Sequence, residues 1–261
     1  PNTGPRKSWA AGDACRRAVQ LALLTMNGQM GYPSALSAPG WGFQDVLFNG
    51  EELVLERPLG SYVMENILFK IAFPAEFHAQ TAVECALALY PTVVDRIGDI
   101  DRIEIETQEA GARIIDKTGP LDNYADRDHC LQYMVAVPLI FGELVAESYT
   151  DEVASDPRID ALRDKMSVKE NPEFTRDYFD PDKRAIGNAI QIFFKDGSST
   201  ERVQVDFPIG HRRRREEGIP MLEAKFEKAV TDYFSQAKTS AISQAMANRT
   251  NCATMSVPEF M

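Results

Sequence analysis

The chain has 261 residues, 44% hydrophobic and 26% charged, with a formal net charge of −11. That balance suits one large domain or two modest ones, and excludes a disordered, collagen-like or coiled-coil chain. An acidic surface repels phosphate backbones, which argues against nucleic-acid binding. No apolar stretch reaches the roughly 18 to 20 residues of a membrane span.

In chain order, Asp13 reads as the cap of a first helix, with Ala14, Ala18, Leu21, Ala22 and Met26 at helical spacing. Gly28 ends it. A second short helix is expected near 34–38, broken by Pro39-Gly40-Trp41-Gly42-Phe43, after which 44–48 resumes as helix or turn. Residues 77–89 place Ala82, Cys85, Ala86 and Leu89 on one helical face. Residues 103–107 alternate with period two and predict a half-exposed strand. A further helix is expected over 128–144, with Pro138 kinking or ending it.

The strongest local signal is two β-rich runs, 189–194 and 202–205, joined through Asp196-Gly197 as a hairpin. The segment 221–236 is amphipathic through Leu222, Phe226, Val230 and Tyr233, and a last weak helix covers 240–247. The basic run 212–215 is answered by Glu216 and Glu217 and reads as a solvated turn. The order predicts an α+β protein, with helical flanks around an inserted α+β unit.

Cys15, Cys85, Cys130 and Cys252 are scattered without metal-ligand spacing, so no metal site is expected. Cys15 and Cys85 fall in apolar helical patterns and read as buried thiols, which favours a reducing compartment. Both ends look cut: there is no initiator Met and no signal or transit pattern, so a domain fragment is expected.

No Walker loop, GxGxxG, GxSxG or HExxH occurs, so what remains is isolated cations and histidines. Lys7 stands beside a small-residue loop and a helix N-terminus, an arrangement that suits an anion, although lysines at chain starts are commonly just solvated. Lys70, inside an apolar run, either snorkels to water or is buried for proton transfer or carboxylate binding. His78, at the start of a helix, is either a structural hydrogen-bonding residue or an acid–base group facing a pocket. His129 reads as a helix-start residue beside its own carboxylates, and His211, next to the arginines, as exposed.

Arg6-Lys7-Ser8-Trp9-Ala10-Ala11-Gly12-Asp13-Ala14, Gly31-Tyr32-Pro33-Ser34-Ala35-Leu36 and Trp41-Gly42-Phe43 resemble the MmgE/PrpD family, in its 2-methylcitrate dehydratase branch. So do Gly60-Ser61-Tyr62-Val63-Met64-Glu65-Asn66, Phe73-Pro74-Ala75-Glu76-Phe77-His78, Ala125-Asp126-Arg127-Asp128-His129-Cys130, Lys183-Arg184-Ala185-Ile186 and Pro208-Ile209-Gly210-His211. Nearly the whole chain is covered. The resemblance implies a cofactor-free, iron–sulfur-independent lyase that converts 2-methylcitrate to 2-methyl-cis-aconitate in propionate breakdown.

It also implies a helical domain assembled from 1–59 and 209–261, an α+β domain over 60–208, and a long helical stretch preceding Lys7. The active site would then be split. Lys7, Lys70 and His78 take the catalytic positions and Arg6, Ser61 and Tyr62 the substrate-binding ones. The histidine common after the first lysine is Ala10 here. A homodimer is expected, in the mitochondrial matrix of a eukaryote or the cytoplasm of a bacterium. A cis-aconitate decarboxylase-like enzyme is the alternative within the family. A catalytically silent packing or dimerisation domain is the alternative outside enzymology.

Overall fold

A computed structural model describes residues 4–55 and 72–260. Residues 4–55 belong to one compact unit and 72–260 to another.

In the first unit a 3-10 turn, Pro5–Trp9, leads directly into helix α1 (Ala10–Met26). Pro5 presets the φ of the first turn, so the helix starts ahead of Asp13. Asp13 therefore does not cap it; it sits inside the helix and pairs with Arg16 (3.2 Å) and Arg17 (3.0 Å). The chain turns at Gly28 (φ +84°), where the amide of Gln29 donates to the Leu24 carbonyl at 2.9 Å. The helix expected near 34–38 forms only turns, and α2 (Phe43–Phe48) follows. No residue of α1 or α2 is buried. The thiol of Cys15 is accordingly exposed, contrary to its apolar setting in the sequence.

The second unit holds a four-stranded mixed sheet in the order β2-β1-β3-β4, with β1 at Ile100–Thr107, β2 at Met166–Glu170, β3 at Asn188–Phe194 and β4 at Val203–Val205. This bears out the α+β expectation. β1 pairs parallel with β2 and antiparallel with β3. A register shift between Ile100 and Arg102 lets Ile100, Ile103 and Ile105 all face inward. The 189–194 hairpin forms as read: Gly197 adopts φ +86° at the turn, and its amide donates to the Phe194 carbonyl at 3.0 Å.

Helix α3 (Gln80–Val93) precedes β1, and helices α4 (Glu109–Ile114), α5 (Tyr124–Arg127), α6 (Leu131–Phe141), α7 (Asp151–Ala154) and α8 (Pro157–Arg163) carry the chain from β1 to β2. Helix α9 (Pro172–Phe179) precedes β3. α3 packs against α6 and against β3 and β4, while α8 packs on α6.

Helix α6 buries every residue from Leu131 through Ile140, the pattern of a central core helix. Pro138 does not end it. The helix runs on until Gly142, whose φ of +75° closes it, and a Cβ there would meet the Tyr90 ring at 2.8 Å. Apolar packing on all sides holds this last turn despite the missing Pro138 amide. The unit ends with α10 (Arg215–Thr231), α11 (Gln236–Ala247), α12 (Arg249–Thr254) and α13 (Val257–Phe260). Among the described residues no helix is long and apolar enough to cross a membrane.

Candidate functional site

The structure describes three of the six site residues expected from sequence: Lys7, Arg6 and His78. Lys70, Ser61 and Tyr62 lie outside the described residues. Lys7 sits in the last turn of the 3-10 segment before α1, exposed, and Arg6 stacks over the Trp9 ring with its guanidinium 4.6 Å from the centroid. The structure thus places a cationic pair immediately before a 17-residue helix.

His78 lies in the second unit, in a 3-10 turn, Phe77–Ala79, that feeds α3. Glu76 caps this turn by accepting from the His78 amide at 2.7 Å. The same carboxylate takes the imidazole: Nδ1 lies 3.0 and 3.1 Å from its two oxygens. Nδ1 therefore carries the proton in the neutral ring, leaving the Nε2 lone pair free to accept. Nε2 faces the Tyr178 hydroxyl at 3.3 Å, from α9. The carboxylate–imidazole–phenol row is mostly sheltered, with the His78 side chain 10% and that of Glu76 13% exposed.

The backbone beneath is held with equal care. Gln80 Nε2 donates to the carbonyls of Phe73 (3.1 Å) and Ala75 (2.8 Å), fixing the approach through Pro74. Asn188, at the start of β3, donates from Nδ2 to the His78 carbonyl (2.8 Å) and to Thr81 Oγ1 (2.7 Å). Thr81 in turn donates to the Ile186 carbonyl at 2.5 Å. Sheet and helix start are thereby tied at the residue that carries the imidazole.

The other histidines are structural. His129 pairs through Nδ1 with the adjoining Asp128 carboxylate, as its setting suggested. His211 is only 1% exposed, which corrects the expectation of an exposed ring. Its Nε2–H donates to the Lys183 carbonyl at 3.1 Å and its Nδ1 accepts from the Arg213 amide at 3.2 Å. Burial pushes its pKa down, against the hydrogen bond to Lys183, which pulls it up. The basic run is not simply solvated either. Arg214 reaches inward to Glu84 (2.7 Å) and to the Phe207 carbonyl (2.6 Å), and also takes Glu217.

Two of the four cysteines, Cys85 and Cys130, are buried thiols. Burial pushes the Cys85 thiol up to about 12 and raises that of Cys130, so both stay protonated. No group of three His, Cys, Asp or Glu able to hold a metal occurs among the described residues.

Among the described residues, two hollows open on the second unit. One, of about 240 Å³, has Arg127 and Arg163 in its wall, but Asp151 and Asp160 pair with them, so it gathers no net positive charge. The other, about 480 Å³, is an apolar groove between α10 and α11 lined by Leu222, Phe226 and Met246, with Glu223 and Glu227 at its edge. Neither assembles the fixed cations that a polyanionic substrate needs.

Comparison with known proteins matches the chain to two domains of one family. The MmgE/PrpD C-terminal domain matches residues 73–249, and the MmgE/PrpD N-terminal domain matches residues 1–56. The chain belongs to the MmgE/PrpD family. Curated relatives include the 2-methylcitrate dehydratases of Escherichia coli (strain K12), 56% identical, and of Salmonella typhimurium, 57% identical; each is matched over all of this chain and 55% of its own length. The mitochondrial 2-methylcitrate dehydratase of Yarrowia lipolytica is 56% identical over all of this chain and 50% of its own length. The chain thus spans about half the length of the curated relatives it matches.

Proposed function

We propose that the polypeptide carrying this chain is a hydro-lyase that dehydrates 2-methylcitrate to 2-methyl-cis-aconitate in propionate catabolism. The observation that carries this reading is identity above one half, spread along the whole chain, to relatives so named in both bacteria and a yeast.

The chemistry defines what the residues must do. The proton to be removed lies next to a carboxylate and is weakly acidic, and hydroxide is a poor leaving group. Lys7 and Lys70 supply fixed positive charge for the tricarboxylate and for an enediolate-like transition state, with Arg6, Ser61 and Tyr62 orienting the substrate. His78 is the acid–base group, its tautomer set by Glu76. The site is split, because this chain spans about half the length of its relatives and the rest of the polypeptide contributes to the site as well.

The domain reading follows the same logic: 1–59 and 209–261 contribute to a helical domain and 60–208 forms the α+β domain. The active assembly is a homodimer. It works in the mitochondrial matrix of a eukaryote or the cytoplasm of a bacterium.

The test is ultraviolet absorbance of the new conjugated double bond, using the full-length polypeptide that carries this chain, 2-methylcitrate and a metal chelator. Dehydration is expected. Release of carbon dioxide from cis-aconitate, with no dehydration, would instead favour the decarboxylase branch. Within an active enzyme, Lys7→Met should lower kcat/KM by at least about tenfold. Near-normal activity removes Lys7 from the site.

A further inference from the structure

His78 is the acid–base candidate, yet its reactive nitrogen is not the atom presented outward. Nδ1 is occupied by Glu76, and Nε2, the remaining lone pair, is faced by the Tyr178 hydroxyl at 3.3 Å. The histidine is 8% exposed, whereas Tyr178 is half-buried and forms the outer end of the row.

We propose that Tyr178 is the group through which His78 exchanges protons, so that Glu76, His78 and Tyr178 work as a relay. The inference rests on the dehydratase reading and deepens it. As the substrate's carbon-bound proton passes to Tyr178 Oη, the phenolic proton passes to His78 Nε2. The electron pair of the broken C–H bond forms the new double bond, and the hydroxyl leaves with the pair of its C–O bond. That hydroxide takes up a proton from solvent and departs as water, and the imidazolium returns its proton to solvent, so no net proton is gained or lost.

Three features of the fold favour this assignment. The Glu76 carboxylate stands against the ring and stabilises the imidazolium formed when Nε2 is protonated. Phe77 lies edge-on to the imidazole at 5.6 Å and Tyr178 lies tilted against it at 5.7 Å, which restricts the ring to one orientation. Helix α9 is itself anchored: Phe174 is buried beneath it, Asn171 caps its start at the Glu173 amide (2.9 Å), and Asp177 near its end binds Lys183 at 2.7 Å. A separation of 3.3 Å is long for an O–H···N bond, and catalytic hydrogen bonds commonly tighten only when substrate binds.

The first measurement is ¹⁵N NMR of the His78 imidazole in this chain, unsubstituted and as Tyr178→Phe, with a melting curve to confirm that loss of one oxygen leaves the fold intact. The Nε2 resonance should move toward the position of an unbonded acceptor while Nδ1–H keeps its place. An unmoved Nε2 resonance overturns the relay.

The second measurement is kinetic, in the full-length polypeptide. Tyr178→Phe and His78→Gln should each lower kcat by about a hundredfold, with KM within about twofold. The double variant should lose no more than the worse single one, because the residues act as a unit. A normal Tyr178→Phe beside an impaired His78→Gln overturns the relay and leaves the dehydratase reading standing. Full kcat in both variants removes His78 from the chemistry and the relay with it. No dehydration by the unsubstituted polypeptide overturns the proposed function itself.

Discussion

Helices α1 and α6 make an instructive pair. α1 is the longer, 17 residues against 11, and carries Leu21, Leu23, Leu24 and Met26, yet buries nothing. α6 buries ten consecutive residues, Pro138 included. Periodicity specifies that a helix has an apolar face; it does not specify what covers that face. α6 is covered by α3 and α8 within its own unit, and such packing rather than intrinsic propensity supplies most helical stability in proteins.

The sharpest way to break this contrast is a matched pair of truncations, read by urea denaturation. Leu139→Ala, at a fully buried position of α6, should cost about 2 to 5 kcal/mol. Leu23→Ala, on the half-exposed face of α1, should change stability by less than about 0.5 kcal/mol. Equal losses would mean that the α1 face is buried in solution.

A smaller effect is expected where the polar ties of the second unit meet the candidate site. Asn188 is fully buried and donates to both His78 and Thr81. Asn188→Ala should destabilise the unit by about 1 to 3 kcal/mol, because buried acceptors lose their donor. It should also broaden the His78 imidazole resonances as the helix start loosens. Sharp, unshifted resonances would show that Glu76 and Gln80 suffice to hold the turn.

The smallest effect belongs to the sheet surface of the same unit. Arg202 grips Glu106 with two hydrogen bonds, at 2.9 and 2.8 Å, and Asn171 adds a third at 2.6 Å. The Arg202 hydrogen bonds hold the Glu106 pKa below its ordinary value of 4.5, and the Asn171 bond adds to them. A carboxylate with a depressed folded pKa contributes stability above its unfolded pKa and loses it as pH falls through the folded value. Glu106→Gln should therefore cost about 1 kcal/mol at neutral pH, after allowance for solvent screening, and the gap should close as pH drops below about 4.5. A gap independent of pH would assign the loss to packing rather than charge.

Which elements were legible follows from how far their causes reach along the chain. The β3–β4 hairpin was readable because Asp196-Gly197 carries its own turn chemistry and its strands lie next to each other. β2 was missed. It is a five-residue edge strand with weak alternation, and it exists through parallel pairing with β1, which lies 63 residues earlier at the Ile103–Met166 match. His211 was misjudged for a related reason: its neighbours in sequence are arginines, while its burial comes from the Lys183 carbonyl and the Phe207 ring, 4.7 Å away. The site divides in the same way. Glu76 lies two residues from His78, and the pair was within reach of sequence, whereas Tyr178 stands 100 residues away and carries no motif.

The sequence by itself determined the α+β class, the hairpin, most of the long helices and the family, because these rest on local periodicity, turn residues and runs of matching residues. Only the tertiary structure decided that α6 is core while α1 is not, that His211 is buried, and that a tyrosine from α9 closes the row begun by Glu76 and His78. Burial and hydrogen bonding are properties of neighbours in space, and a chain reveals those neighbours only after it has folded.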